Sequence, residues 1–244
     1  MLLRIGNVEA EIKVACVMSA PRLGFLDNFF CVSTALAPHK ISPVKVSGAF
    51  WGQCLQRGME QVIDTHDVVL VVDYDTVFSS RTVEAMLALL MHSGMDALAP
   101  LQIKRESDCL MFCPKNIDVT TVTTVQEDWF KQPVQPVLTA HFGLTFIRTE
   151  ALKKMQKPWF VPSANAIGEY TPEHGGYLDE DLYFWKSFCA AGNKLGMATN
   201  ISVGHAELMV TWPSREAKGP KIHQHTTEYW NSGQKAPEGT WGAI

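Results

Sequence analysis

The sequence is short of the features that sort a chain at once. No apolar run approaches the roughly 20 residues that cross a bilayer as a helix. The opening stretch MLLRIGNVEAEIK carries acids where a secretory signal needs an apolar core, so a soluble, intracellular and therefore cytoplasmic chain is expected, with no membrane partner. The six cysteines (Cys16, Cys31, Cys54, Cys109, Cys113, Cys189) contain no CxxC pair and lie mostly in apolar segments. That argues against a disulfide framework or a zinc knuckle and for buried free thiols. A basic excess is missing too: 21 Lys and Arg face 25 Asp and Glu, a net charge of −4. Tight non-specific nucleic-acid binding has no footprint here, and any polyanionic partner must be met by a local patch.

What is present is enough for one sizeable core, since 46% of the 244 residues are hydrophobic. IKVACVMSA (12–20) reads as a buried strand feeding a loop at Pro21, and a helix follows over roughly 24–36. Trp51, Cys54, Leu55, Met59 and Val62 fall at helical steps of three and four. VVLVV (68–72) is another buried strand. Val83, Met86, Leu87, Leu90 and Met91 form a second apolar helix stripe that Gly94 stops, and MDALAP (95–100) reads as a strand. Strands interleaved with helices predict an α/β fold: a mostly parallel sheet flanked by helices. Residues 101–138, with the Thr/Val alternation of DVTTVTTV, suit an excursion with some antiparallel strand. HFGLTFIRTEALKKM gives a strand and then a helix. In GGYLDEDLYFWKSFCAAG an acidic helix start carries Leu182, Trp185 and Cys189 toward the core, and Gly192 closes it. Beyond 205 no element is predicted, and His223 and His225 of KIHQH are expected on a polar tail.

The chemistry concentrates where VVLVV runs into Asp73-Tyr74-Asp75. In open α/β sheets ligands gather beyond the carboxyl ends of strands. Alternation along an extended chain would put both carboxylates on one side, where they repel unless a cation sits between them. A divalent metal is one explanation; capping of the following turn is the other. Phosphohydrolases of the haloacid dehalogenase type share an apolar strand and D-x-D, with Asp73 then the nucleophile. That motif normally opens its domain, whereas here roughly 70 residues precede it.

The leading segment is accounted for by a different likeness. VMSAPR, GAFWGQCLQRGME, VVDYDTVFSSRTVEAML, HFGLTFIRTEAL, DEDLYFWKSFCAAG and VGH, in that order over roughly 12–205, resemble the nucleotide-sugar glycosyltransferases of the GT-A fold. The resemblance implies a Rossmann-like single domain. Residues 1–100 would be the nucleotide-sugar-binding half, 101–205 the acceptor and catalytic half with its smaller antiparallel part, and 206–244 a tail or lid. It implies metal-dependent transfer of a sugar from a nucleotide diphosphate sugar, UDP-linked, to an acceptor hydroxyl. Asp75 would bind the metal directly, Asp73 would serve the metal shell and the ribose or diphosphate, and His205 would be a further ligand. An imidazole in that set favours Mn²⁺ over Mg²⁺. Ser19, Ala20, Pro21, Arg22, Gln53 and Tyr74 would join Asp73 around the nucleotide, and Asp179 would face the acceptor together with His141 and Gly143, where a missing Cβ allows either close approach of a ligand or a tight sheet contact. The resemblance also makes Asp181, beside Glu180, the base that takes the acceptor proton. Asp179 would cap the helix, although all three acids could simply complement its dipole. Arg22 and Arg105 are either phosphate ligands or solvated charges, and Trp51 is either donor pocket or core. Compact enzymes of this kind resemble those of bacteriophages, some of which glycosylate hydroxymethylated pyrimidines in DNA. A local patch such as REAKGPK (215–221) would have to serve DNA. A sugar-nucleotide binding module without turnover is the non-enzymatic alternative.

Overall fold

The structure is a computed structural model, and it describes residues 1–5, 8–19, 24–164, 179–215 and 221–240. It divides into two units, Met1–His205 and Ala206–Ile244.

In the first unit a seven-stranded sheet is built from β1 (Val14–Ser19), β2 (Pro43–Val46), β3 (Val68–Val72), β4 (Ala97–Leu101), β5 (Val134–Val137), β6 (Leu144–Arg148) and β7 (Leu195–Ser202), in the order β2-β1-β3-β6-β4-β7-β5. β1 pairs in parallel with β2 and β3, and β7 with β4. β6 runs antiparallel between β3 and β4, and β5 antiparallel on the β7 edge. The antiparallel part predicted for 101–138 is found at Val134–Val137 and at Phe112–Cys113, which pairs with Thr139–Ala140. DVTTVTTV itself contributes only a bridge from Val122 to Leu110, because Thr139 Oγ1 ties its Val119 carbonyl into a loop.

Helices α1 (Leu26–Leu36), α2 (Trp51–Val62), α3 (Ser80–Ser93), α4 (Thr149–Lys153) and α5 (Glu180–Ala190) complete this unit. β3 explains why both faces must be covered. All five of its residues are buried, and alternation sends them into two cores. Val69 and Val71 join Leu55, Met59 and Val62 of α2 and Phe184, Trp185 and Phe188 of α5. Val68, Leu70 and Val72 join Val32 and Leu36 of α1 and Val83, Met86, Leu87 and Leu90 of α3. Each such side chain contributes roughly 1.5–3 kcal/mol on full burial, so Leu70→Ala costs about 2–5 kcal/mol. α3 starts at a capping box between Ser79 and Thr82 and ends at Gly94 in the left-handed region (φ 69°).

The second unit holds a hairpin of Met209–Trp212 with Ile222–His225 and a short helix, Thr226–Asn231. This corrects the expectation of a tail without elements. The strands are short and half exposed, so no apolar alternation marks them. His223 and His225 lie on a strand, and His225 Nδ1 sits 3.1 Å from Glu207. Among the described residues, no helix is long and apolar enough to cross a membrane.

Candidate active site

The site lies past the carboxyl end of β3. The strand stops at Val72, and residues 73–76 make a turn closed by the Thr76 N–H on the Asp73 carbonyl. Because the chain turns, the alternation of an extended chain does not apply here, and the two carboxylates have different partners. Asp73 Oδ1 accepts a hydrogen bond from the Trp51 indole N–H at the start of α2 (3.0 Å). Asp75 is buried, and its Oδ2 lies 3.3 Å from His205 Nε2 and 3.4 Å from Arg105 Nη1.

Local pairing explains how a residue 130 positions away reaches Asp75. Gly204–His205 forms a two-residue antiparallel ladder with Thr76–Val77, directly after the turn. His205 Nδ1 lies 2.9 Å from the Ile103 carbonyl and donates to it, which leaves Nε2 facing the carboxylate. Burial opposes charging of this imidazole, but hydrogen bonds to Asp75 and to Ile103 outweigh it and raise its pKa.

The turn is fastened from below by residues that carry no sequence signal. Asn28 of α1, fully buried, donates to the carbonyls of Asp73 (3.2 Å) and Thr76 (2.6 Å). Gln102 Nε2 reaches Thr76 Oγ1 (3.2 Å) and the Gly204 carbonyl (3.3 Å). Gly143, whose carbonyl accepts from the Asp73 N–H, has no room for a Cβ: one would lie 2.7 Å from Thr76 Oγ1. It is a close sheet contact, not an opening for an acceptor. His141 is likewise unavailable to a ligand. It is 2% exposed, its Nε2 donates to the Pro100 carbonyl (2.7 Å), and its Nδ1 accepts from the Gly143 N–H (3.0 Å). Burial lowers its pKa to about 4, so it is a neutral strut.

A second group of acids stands at the start of α5. Asp179 holds the N-cap position but its side chain makes no cap hydrogen bond, contrary to the expected role. Glu180 is committed elsewhere. Its Oε2 accepts from the Gly52 N–H at the start of α2 (2.9 Å), complementing that helix's dipole where its own N-cap, Phe50, cannot. Gly52 leaves no room for a side chain, since a Cβ would lie 2.5 Å from the Cβ of Phe160. Asp181 is half-buried, and burial first, then the charges of Asp179, Asp73 and Glu180, raise its pKa well above the usual carboxylate range. Asp73 is pushed up to about 6 by burial and by Asp75, against the Trp51 hydrogen bond and the charges of His205 and Arg105.

Of the remaining predicted residues, Ser19 ends β1 and is buried, Tyr74 stacks on Phe25 with ring centroids 6.5 Å apart, and Gln53 is exposed on α2. Ala20, Pro21 and Arg22 lie outside the described residues, as does most of REAKGPK.

No protein-family model and no curated protein sequence matches the chain. Solved structures do. The A197 protein from STIV superposes with a TM-score of 0.55 at 17% identity, over 80% of this chain and 85% of that one. GalNAc-T7, solved with UDP, GalNAc and Mn²⁺, superposes with a TM-score of 0.55 at 12% identity, over 83% of this chain. The fold is GT-A-like. The chain spans less than half of GalNAc-T7, 44% of its length.

The donors present at the end of β3 decide whether a divalent metal fits there. Among the described residues no group of three His, Cys, Asp or Glu side chains is gathered to hold an ion, because Asp73 is turned to Trp51. Asp75 and His205 alone converge, and the carbonyl on His205 Nδ1 is the outer partner that orients a ligating imidazole. Two protein donors fit a metal that takes its other ligands from phosphate oxygens and water.

Proposed function

We propose that the chain is a metal-dependent glycosyltransferase that moves a sugar from a UDP-linked donor to an acceptor hydroxyl. The observation that carries this reading is the convergence of Asp75 and His205 beyond the carboxyl end of β3 in a GT-A-like fold. Asp75 Oδ2 and His205 Nε2 would hold the ion, Mn²⁺ in preference to Mg²⁺ given the imidazole. When bound, the ion would supply positive charge to the departing nucleoside diphosphate.

The chain's own residues supply the rest. Asp181 takes the proton of the attacking hydroxyl, a task suited by a proton affinity that burial and neighbouring acids raise well above that of an ordinary carboxylate. Glu180 is a positioning residue: bound to Gly52, it ties the start of α5 to the start of α2, from which Trp51 holds Asp73. Asp73, oriented by that indole, serves the ribose or the outer shell of the ion. Attack from the Asp181 side inverts the anomeric centre. The acceptor is a hydroxyl-bearing molecule, with a hydroxymethylated base in DNA as the specific candidate from sequence resemblance.

The test is a thermal-shift titration with UDP, with and without Mn²⁺. Stabilisation that needs the metal and disappears in Asp75→Asn is expected, because a ligand bound only by the folded state raises its stability by mass action. Equal stabilisation by UDP in EDTA would refute the metal-bridged site.

A further inference from the structure

We propose that Arg105 holds the place of the metal on Asp75 in the unloaded site and passes to the donor diphosphate when the metal binds. The inference rests on the metal and nucleoside diphosphate site proposed above and names a residue of it that the fold resemblance does not supply.

Three observations carry it. First, the Arg105 guanidinium and the His205 imidazole address the same oxygen, Asp75 Oδ2, at 3.4 and 3.3 Å. A divalent ion shared by Asp75 and His205 would sit about 2 Å from its oxygen ligands, displacing any cation already on that oxygen and repelling it besides. Second, the contact is built to be given up. It is longer than the roughly 2.7–2.9 Å of a strong charged pair, engages a single guanidinium nitrogen, and the Arg105 side chain is 44% exposed against 5% for Asp75. Third, Arg105 and the carbonyl that orients His205 belong to one arm. Ile103 bridges Leu110, the Lys104 N–H bonds the Cys109 carbonyl (2.8 Å), and the turn between them carries Arg105 with Glu106 in the left-handed region (φ 54°). The arm thus presents its cation to the pair that would bind the metal.

The guanidinium is charged at every working pH, so the exchange is a competition between cations, not a proton switch. Once released, its planar fork matches phosphate oxygens in the same crevice. Arg105 therefore acts with opposite signs on two ligands: against bare metal, and for the nucleotide.

The experiment is a titration of Mn²⁺, followed by the EPR signal of the free ion, on wild type, Arg105→Gln and Arg105→Lys, without and with UDP. Melting temperatures confirm that the half-exposed substitutions fold. Without UDP, Arg105→Gln is expected to bind Mn²⁺ several-fold more tightly than wild type. At saturating Mn²⁺ it is expected to bind UDP roughly 10–100-fold more weakly, the loss of a hydrogen bond to a charged group. Arg105→Lys, which keeps the charge and loses the fork, should match wild type for Mn²⁺ and fall between the two for UDP. Wild type that binds Mn²⁺ beside an Arg105→Gln variant with unchanged or weaker Mn²⁺ affinity, or with unchanged UDP affinity, overturns the role of Arg105 and leaves the metal site standing. Wild type that binds no Mn²⁺ even with UDP overturns both.

Discussion

Two charge environments meet at the end of β3, and they are solved differently. On one side Asp75 is balanced within contact distance by His205 and Arg105. On the other, Asp73 accepts from the Trp51 indole and Glu180 from the Gly52 N–H, while Asp181 feels the charges of Asp179, Asp73 and Glu180, and Asp73 and Asp181 have raised pKa values. Under the proposed function, the Asp75 side would be the cation site and Asp181, on the other side, the proton acceptor.

The largest effect should come from breaking the unbalanced side. Asp181→Asn keeps the shape but cannot take a proton, so transfer should fall by at least about 10²-fold with donor affinity within a few-fold of wild type. The same variant should melt higher than wild type at pH 7. The sign follows from linkage: the folded state holds this proton above the unfolded value near 3.9, so native Asp181 subtracts stability as pH rises from there toward its raised folded value. The gain should therefore vanish as the pH is lowered to about 4. An NMR spectrum of the product checks the stereochemistry. Retention of the anomeric configuration together with a nearly active Asp181→Asn would remove Asp181 from the mechanism.

Next in size is the balanced side. Asp75→Asn should weaken Mn²⁺ by at least the roughly 10–100-fold that loss of an outer-sphere partner alone costs, read by calorimetry in the presence of UDP. Trp51→Phe probes the boundary between the two sides. It keeps the ring that packs on Phe142 and Phe160 but deletes the donor to Asp73, so the ionisation of Asp73, followed by carboxyl ¹³C NMR, should move up from about 6. The smallest effect belongs to Glu180. Glu180→Gln still accepts from Gly52 and should cost little, whereas Glu180→Ala should lose about 0.5–2 kcal/mol, the value of a helix cap, in chemical denaturation. Equal losses in the two variants would show that charge, not the hydrogen bond, holds α2 to α5.

The sheet and its helices were legible because burial on two faces leaves a periodic record. The Val68–Val72 run, the stripe from Cys54 to Val62 and the stop at Gly94 each appear where their spacing implies. Asp73 and Asp75 follow the end of β3, and Asp181 falls in the first turn of α5, as read. What left no record are bonds between side chains and distant backbone. Asn28, Gln102 and the Ile103 carbonyl are tied across 45 to 102 positions, and single polar residues have no period. His141 misled for the converse reason. A histidine beside a glycine reads as a ligand until both ring nitrogens are found already bonded. The alternation invoked for Asp73 and Asp75 does not apply, because it holds only while the chain stays extended and β3 ends one residue before Asp73.

The run Val68–Val72 has a further consequence before the protein is folded at all. Five consecutive β-formers without charge or proline are the kind of segment that pairs with copies of itself when exposed. Here Asp67 precedes it, bonded in the native state to the Lys13 N–H (2.8 Å), and Asp73 follows it. Flanking acids of this kind act as gatekeepers against self-association of nascent chains. Asp67→Val is therefore expected to lower refolding yield at micromolar concentration, seen as light scattering, out of proportion to any change in melting temperature. Asp73 would thus serve solubility during synthesis as well as the crevice it later lines.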